Sequence, residues 1–177
     1  VRERQTRAAL AALTEPAARR YVAQQRAGEN PWNSVVPTQV DAATIAGTPA
    51  PGRLTQPLLQ AAVVLVVCVD LTVVASTDQH LQRVGVISGA SVYPFIWNIL
   101  LAARHEGYGG TITTLAVAQE PQIQELLGLP SHLAVAAVIP LGTPVTQLTR
   151  LSRKSVSAFA VHERWGGAPL TEESRHE

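Results

Sequence analysis

VISGASVYPFIWNILLAARHEGYGGTITTL, residues 86–115, holds a loop, a helix, a glycine turn and a strand in close succession. Ser91 suits the N-cap of that helix, where a hydroxyl oxygen can accept an orphan N–H of the first turn. Pro94 then falls at the third helical position, where a missing N–H costs nothing. Val92, Phe95, Ile96, Ile99, Leu100 and Ala103 recur at the i, i+3, i+4, i+7 spacing of one buried face. Gly107 ends the helix as a left-handed cap. Gly109 and Gly110 keep the backbone bare just before Thr111, Ile112, Thr113 and Thr114 turn β-like. The helix start and the Gly-Gly turn are therefore expected to present uncrowded backbone N–H groups, which suit a planar, anionic ligand. The plainer reading of the same residues is a buried helix with ordinary caps.

Outward from this stretch, 177 residues suit one domain with a sizeable core. An apolar share of 46% against 15% charged fits a globular chain and not a disordered one. A net charge of +1 supplies no field to attract nucleic acid or acidic lipid, so neither partner is implied. Cys68, the single cysteine, sits in the apolar run VVLVVCV and reads as a small hydrophobe, in keeping with a reducing, cytoplasmic compartment. No stretch reaches the roughly 18–20 apolar residues of a membrane helix. The N-terminus is charged and helical, unlike a signal peptide.

Taken in order, residues 3–13 and 15–26 read as two helical pieces meeting near Thr14, interrupted by Pro16 and stopped by Gly28. Leu10, Leu13, Ala17 and Tyr21 share one face. Residues 29–53, with Pro31, Pro37, Pro49 and Pro51, read as one long loop in which Trp32 is either an anchor for a neighbouring surface or local packing. Leu58 to Asp70 opens with a helical turn and continues as a strand covered on both faces, because its β-branched run does not alternate. Residues 72–87 read as loop or short helix. Thr111 to Val117 is expected as a strand, Glu120 to Leu127 as a helix ended by Gly128 and Pro130, and His132 to Leu141 as a central apolar strand. Ser155 to His162 is a further β-like segment, and residues 166–177 look frayed. Strands mixed with segregated helices, without repeated βαβ units, predict an α+β fold with a small sheet.

Familiar catalytic constellations are missing. His80, His105, His132, His162 and His176 lie on different elements with no metal-ligand spacing. There is no G-x-S-x-G elbow, no G-x-G-x-x-G fingerprint and no P-loop.

The run S-V-Y-P-x-x-x-N-I-L-L-A-A-R-x-x-G-Y-G-G-T-I-T-T-L, together with R-L-S-R-K-S-V-S-A-F-A-V-H-E-R-W at Arg150 to Trp165, resembles the FMN-dependent nitroreductase-like flavoproteins, particularly the actinobacterial type. The likeness runs from about Leu58 to Gly167. It implies a three-layer α+β sheet wrapped by helices, an obligate homodimer with two flavin sites at the subunit interface, and FMN as cofactor. The implied reaction passes hydride from NAD(P)H to a nitroaromatic, quinone or similar acceptor, with the chemistry done by the cofactor and no side chain as nucleophile. By the same resemblance Arg153 clamps the cofactor phosphate, and Arg150 assists it or stays in solvent. Gly89, Ala90 and Ser91 fall near flavin N5 and the C4 oxygen, and Gly110 and Thr111 beside the phosphate and ribityl chain. Tyr93 and Trp97 wall the substrate slot or a dimer contact, or simply pack.

Two segments usual in that family, R-x-S-x-R-x-F and S-x-x-N-x-Q-P-W, do not occur. The chain also holds no methionine and opens at Val1. The expectation is a fragment of a longer protein; the alternative is a member that has lost half of its site. A non-catalytic flavin-binding or dimer scaffold, and a relative acting on a deazaflavin or flavin substrate, are the competing functional readings.

Overall fold

The computed structural model describes residues 1–147 and 149–171. The chain divides into two compact units, Val1–Val145 and Thr146–Glu177.

The first unit opens with helix α1, Arg4–Arg26, a single helix where two pieces were expected. Pro16 deprives the carbonyl of Ala12 of its usual partner, but both residues are on the exposed side, where water can serve. The helix therefore continues through the proline. Its end is a Schellman motif: Gly28 takes φ +75, its N–H donates to Gln25, and the Glu29 N–H donates back to Gln24 at 2.9 Å. Gly107 and Gly128 close two later helices in the same left-handed way.

Residues 29–53 are not one loop. Helix α2, Ala42–Gly47, lies within them, capped by Asp41, whose carboxylate accepts the Thr44 N–H at 2.8 Å. Helix α3, Gly52–Gln60, begins before they end. The loop in front of α2 is tied back to α1. Glu29 accepts from the Thr38 hydroxyl and the Gln39 N–H, and the Trp32 N–H donates to the buried Gln24. The Arg20 guanidinium lies 4.3 Å from the centre of the Trp32 ring. Trp32 thus packs against α1.

Strand β1, Val63–Asp70, pairs antiparallel with β3, Leu133–Gly142, and β3 pairs with the two-residue β2, Gly109–Gly110, giving the order β1-β3-β2. The apolar strand near the chain's end is central, as its composition predicts. On one face of the sheet, Val64, Val135 and Val138 pack with Leu10 of α1, Leu58 of α3 and Ile123 of helix α5, Glu120–Leu127. On the other, Leu65, Val67, Ala137 and Ile139 pack against Ile96 of helix α4, Val92–His105. These are the three layers, and both faces of β1 are covered. The register slips between Val67 and Cys68, which pair with Ala137 and Val135. Ala136 is the extra residue of a β-bulge, and it shares the α4 side with Ala137.

Several local expectations change. Thr111 to Val117 is not a strand: Thr113 makes one bridge to Val138, and Leu115–Gln119 is a 3-10 helix that carries Ala116 into the α1 layer. Ser91 does not cap α4 with its side chain, because it already has helical dihedrals and follows a 3-10 turn, Ile87–Gly89. Phe95 is 57% exposed, because α4 is apolar nearly all round and its sheet-facing side centres on Ile96.

The second unit holds a 3-10 turn, Val156–Ala158, where a β-like segment was expected. The Ala158 N–H closes on Ser155 and turns the chain; only Val161 makes a bridge, to Pro169. Residues 166–170 are not frayed, since His162 donates to Ala168 and Leu170 to Ala160, both at 2.9 Å. Residues 172–177, with His176, lie outside the described residues. Among the described residues no helix is long and apolar enough to cross a membrane.

Candidate functional site

Two clefts of the first unit involve residues singled out by sequence. One, of about 360 Å³, opens where α1 and α3 face the segment after β2. Leu54, Pro57, Leu58, Ile112, Leu115 and Pro140 supply apolar walls, and Tyr21, Arg53, Thr111, Thr113 and Thr114 supply polar groups. The second, of about 430 Å³, lies at the start of α4 and is lined by Val69, Gly85, Val86, Ser88, Gly89, Val92, Tyr93 and Ala136. Thr111 belongs to the first and Gly89 to the second. Ala90 and Ser91 are exposed and line neither.

The glycines are less bare than their sequence suggests. A Cβ on Gly110 would sit 2.9 Å from both Leu100 Cδ2 and the Pro140 carbonyl oxygen, and closer still to Leu141. One on Gly89 would meet the Tyr93 ring at 2.8 Å. At both places the missing side chain admits a neighbour of the same chain, so the expectation of uncrowded backbone is corrected.

Asp78 organises the approach to α4, a role that its sequence position alone did not reveal. It is 4% exposed and accepts from Arg83 Nη1 at 2.7 Å, the Val86 N–H at 2.7 Å and the Ser76 hydroxyl at 3.2 Å. The Val86 N–H and the Arg83 guanidinium hold its carboxyl down to about 2, against the pull of burial in the other direction. Arg83 lies five positions further on, a spacing that matches no helical pair and so gave no signal.

Cys68 packs with the α1 layer. Burial, helped by the charge of Glu120, pushes its thiol up, the reverse of what a nucleophile needs. Glu120 itself accepts the Val135 N–H at 2.6 Å. Arg150 and Arg153 lie in the second unit, on one exposed irregular segment, where Arg153 Nη1 donates to the Ser152 carbonyl at 3.0 Å.

The model of the nitroreductase family matches residues 2–143. The chain belongs to the nitroreductase family. Among solved structures, this nitroreductase-family chain is similar to oxidised iodotyrosine deiodinase bound to FMN and 3-iodo-L-tyrosine. They are 15% identical with a TM-score of 0.58, over 93% of this chain and 74% of that one. A nitroreductase from B. subtilis is 14% identical with a TM-score of 0.51, over 68% of this chain and 51% of that one. At such identities the likeness establishes a shared nitroreductase fold, and with it the α+β class expected from sequence.

Proposed function

We propose that this chain is an FMN-dependent oxidoreductase of the nitroreductase type, which passes hydride from NAD(P)H to a nitroaromatic, quinone or similar acceptor and works as a homodimer. The observation that carries this reading is the cleft beside Thr111. A flavin asks for a flat apolar slot with polar groups along its rim. Leu54, Pro57, Leu58 and Pro140 offer the slot, and Arg53, Tyr21 and the threonines offer the rim, so the residues present fit the group.

Bound there, FMN would supply the capacity to accept hydride and to pass it on. The protein's part is to hold, orient and shield. By the resemblance alone, and not by any geometry of the cleft, Arg153 with Arg150 assisting is assigned to the phosphate, where a guanidinium makes charge-assisted hydrogen bonds. Gly110 and Thr111 run beside the phosphate and ribityl chain. The resemblance assigns Gly89, Ala90 and Ser91 to the neighbourhood of N5; Asp78 fixes the backbone leading into them through the N–H groups of Val86 and Ile87, but the cleft beside Thr111 contains none of the three and lends this assignment no support.

The dimer is supported by α4. Tyr93, Trp97 and Leu101 form an exposed apolar stripe along one flank of α4, where the Tyr93 hydroxyl donates to the Ala136 carbonyl at 3.3 Å, and Phe95 is exposed on the other flank. Apolar surface on both flanks of a helix already covered inside calls for a partner, here a second copy.

Purification tests the reading. A yellow protein absorbing between about 350 and 500 nm, whose band bleaches on adding NAD(P)H, is expected. A colourless protein unchanged by added FMN overturns the reading, and a monomer by light scattering overturns the dimer.

A further inference from the structure

We propose that the free edge of β1 is a docking site for one further strand, antiparallel to β1 and continuous with Val1 on its N-terminal side. Neither the cofactor nor the dimer enters into it.

Val1 already makes the first rung. Its amino group donates to the Val64 carbonyl at 2.6 Å, and the Val64 N–H donates back to the Val1 carbonyl at 2.9 Å. A reciprocal pair of this kind belongs to an antiparallel ladder, so backbone reaching Val1 from its N-terminal side runs along β1 toward Asp70. Among the described residues no strand lies there, the order being β1-β3-β2. The partners of β3 show which groups are unused. Pro140 has no N–H to give, Val138 exchanges both its hydrogen bonds with Thr113, and the Val135 N–H goes to Glu120. Val64, Val66 and Cys68, which stand opposite these three, therefore turn their own N–H and C=O away from β3. Of the three, only Val64 faces a backbone partner.

Burial follows the same line. Val64, beside Val1, is the one fully buried residue of β1, and those after it are half-buried. The run VVLVVCV carries no proline and no charge, so nothing blunts this edge against pairing. The far side of β3 is treated differently: Glu120 and Gln124 of α5 take the Val135 N–H and the Leu133 carbonyl with their side chains. Opposite residues of a sheet share a face, as Val1 and Val64 do in the α1 layer. The residue two before Val1 would therefore join Val66 on that side, and the residue just before Val1 would join Leu65 on the α4 side. The strand that fits is apolar on both faces and about five residues long, enough to reach Val69.

Amide hydrogen exchange tests this, first on the unmodified chain. The Val64 N–H should exchange slowly and those of Val66 and Cys68 fast. An extension of about five valines and isoleucines placed before Val1 should then slow Val66 and Cys68 by about 10-fold or more, and raise the melting temperature. Prolines at the second and fourth residues before Val1 remove the N–H groups that face β1 and should abolish both gains. Prolines at the first and third, whose N–H groups point to solvent, should keep most of them. Slow exchange at Val64 in every variant reports that the sheet is folded. An extension that leaves Val66 and Cys68 unchanged overturns the proposal, as do two proline sets that behave alike. Slow exchange at Val66 and Cys68 in the dilute unmodified chain would mean that the edge is already covered. Slowing that grows with protein concentration would give the edge to a second copy. Either result also overturns it.

Discussion

The backbone N–H of Val86 donates to the carboxylate of Asp78 at 2.7 Å, and the same oxygen takes Arg83 Nη1 at 2.7 Å. One buried oxygen thus binds a side chain and the backbone of the loop that delivers the chain into α4. An aspartate in this setting is a structural peg, and its ionised form is the one that holds.

Strong acid should therefore loosen this loop. The carboxyl sits at about 2 in the folded protein against an ordinary 3.8, so its contribution is complete above about pH 4 and is lost as pH falls toward 2. Asp78→Asn should melt at a lower temperature than the unmodified chain near neutrality, with the gap narrowing between pH 4 and pH 2. Melting curves that coincide at pH 7 would show that the peg holds nothing.

Gly110→Ala is expected to destabilise by about 1–3 kcal/mol, the range for forcing an extra carbon into a filled space. The new methyl group would press on Leu100 and Leu141, which belong to the α4 layer, and on the rigid Pro140 carbonyl. Adding Leu141→Ala should recover part of the loss in urea denaturation. No loss in the single variant would mean that β2 can move aside freely.

Arg153→Ala should weaken FMN binding by about 1.5–3 kcal/mol, typical of a charged hydrogen bond, and leave riboflavin binding unmoved. That contrast separates a phosphate contact from a general effect on the second unit. Unaltered FMN affinity would remove Arg153 from the site.

Where local chemistry decides structure, the sequence was readable. Gly128 and Pro130 marked the end of α5 correctly, Gly107 took the left-handed conformation expected of it, and the apolar run after His132 became the central strand. Where a distant partner decides, it was not. Thr111 to Val117 has strand propensity, yet the α1 layer draws in Ala116 and the chain turns. Phe95 fits a helical stripe, but a helix apolar on nearly every side does not say which stripe meets the sheet. The clefts were hardest. Arg53 and Thr111 are far apart in sequence and meet only because α3 packs beside the segment after β2, and no motif records that.

The bulge in β3 has a consequence for how this scaffold can vary. An uninterrupted strand would point Val135, Ala137 and Ile139 the same way, yet Val135 belongs with α1 and the other two with α4. Ala136 acts as a phase shifter, letting one strand carry two out-of-step hydrophobic codes. Pulling that one small residue into line would turn the earlier half of the strand inside out, whereas deleting it would leave every side chain on its present face.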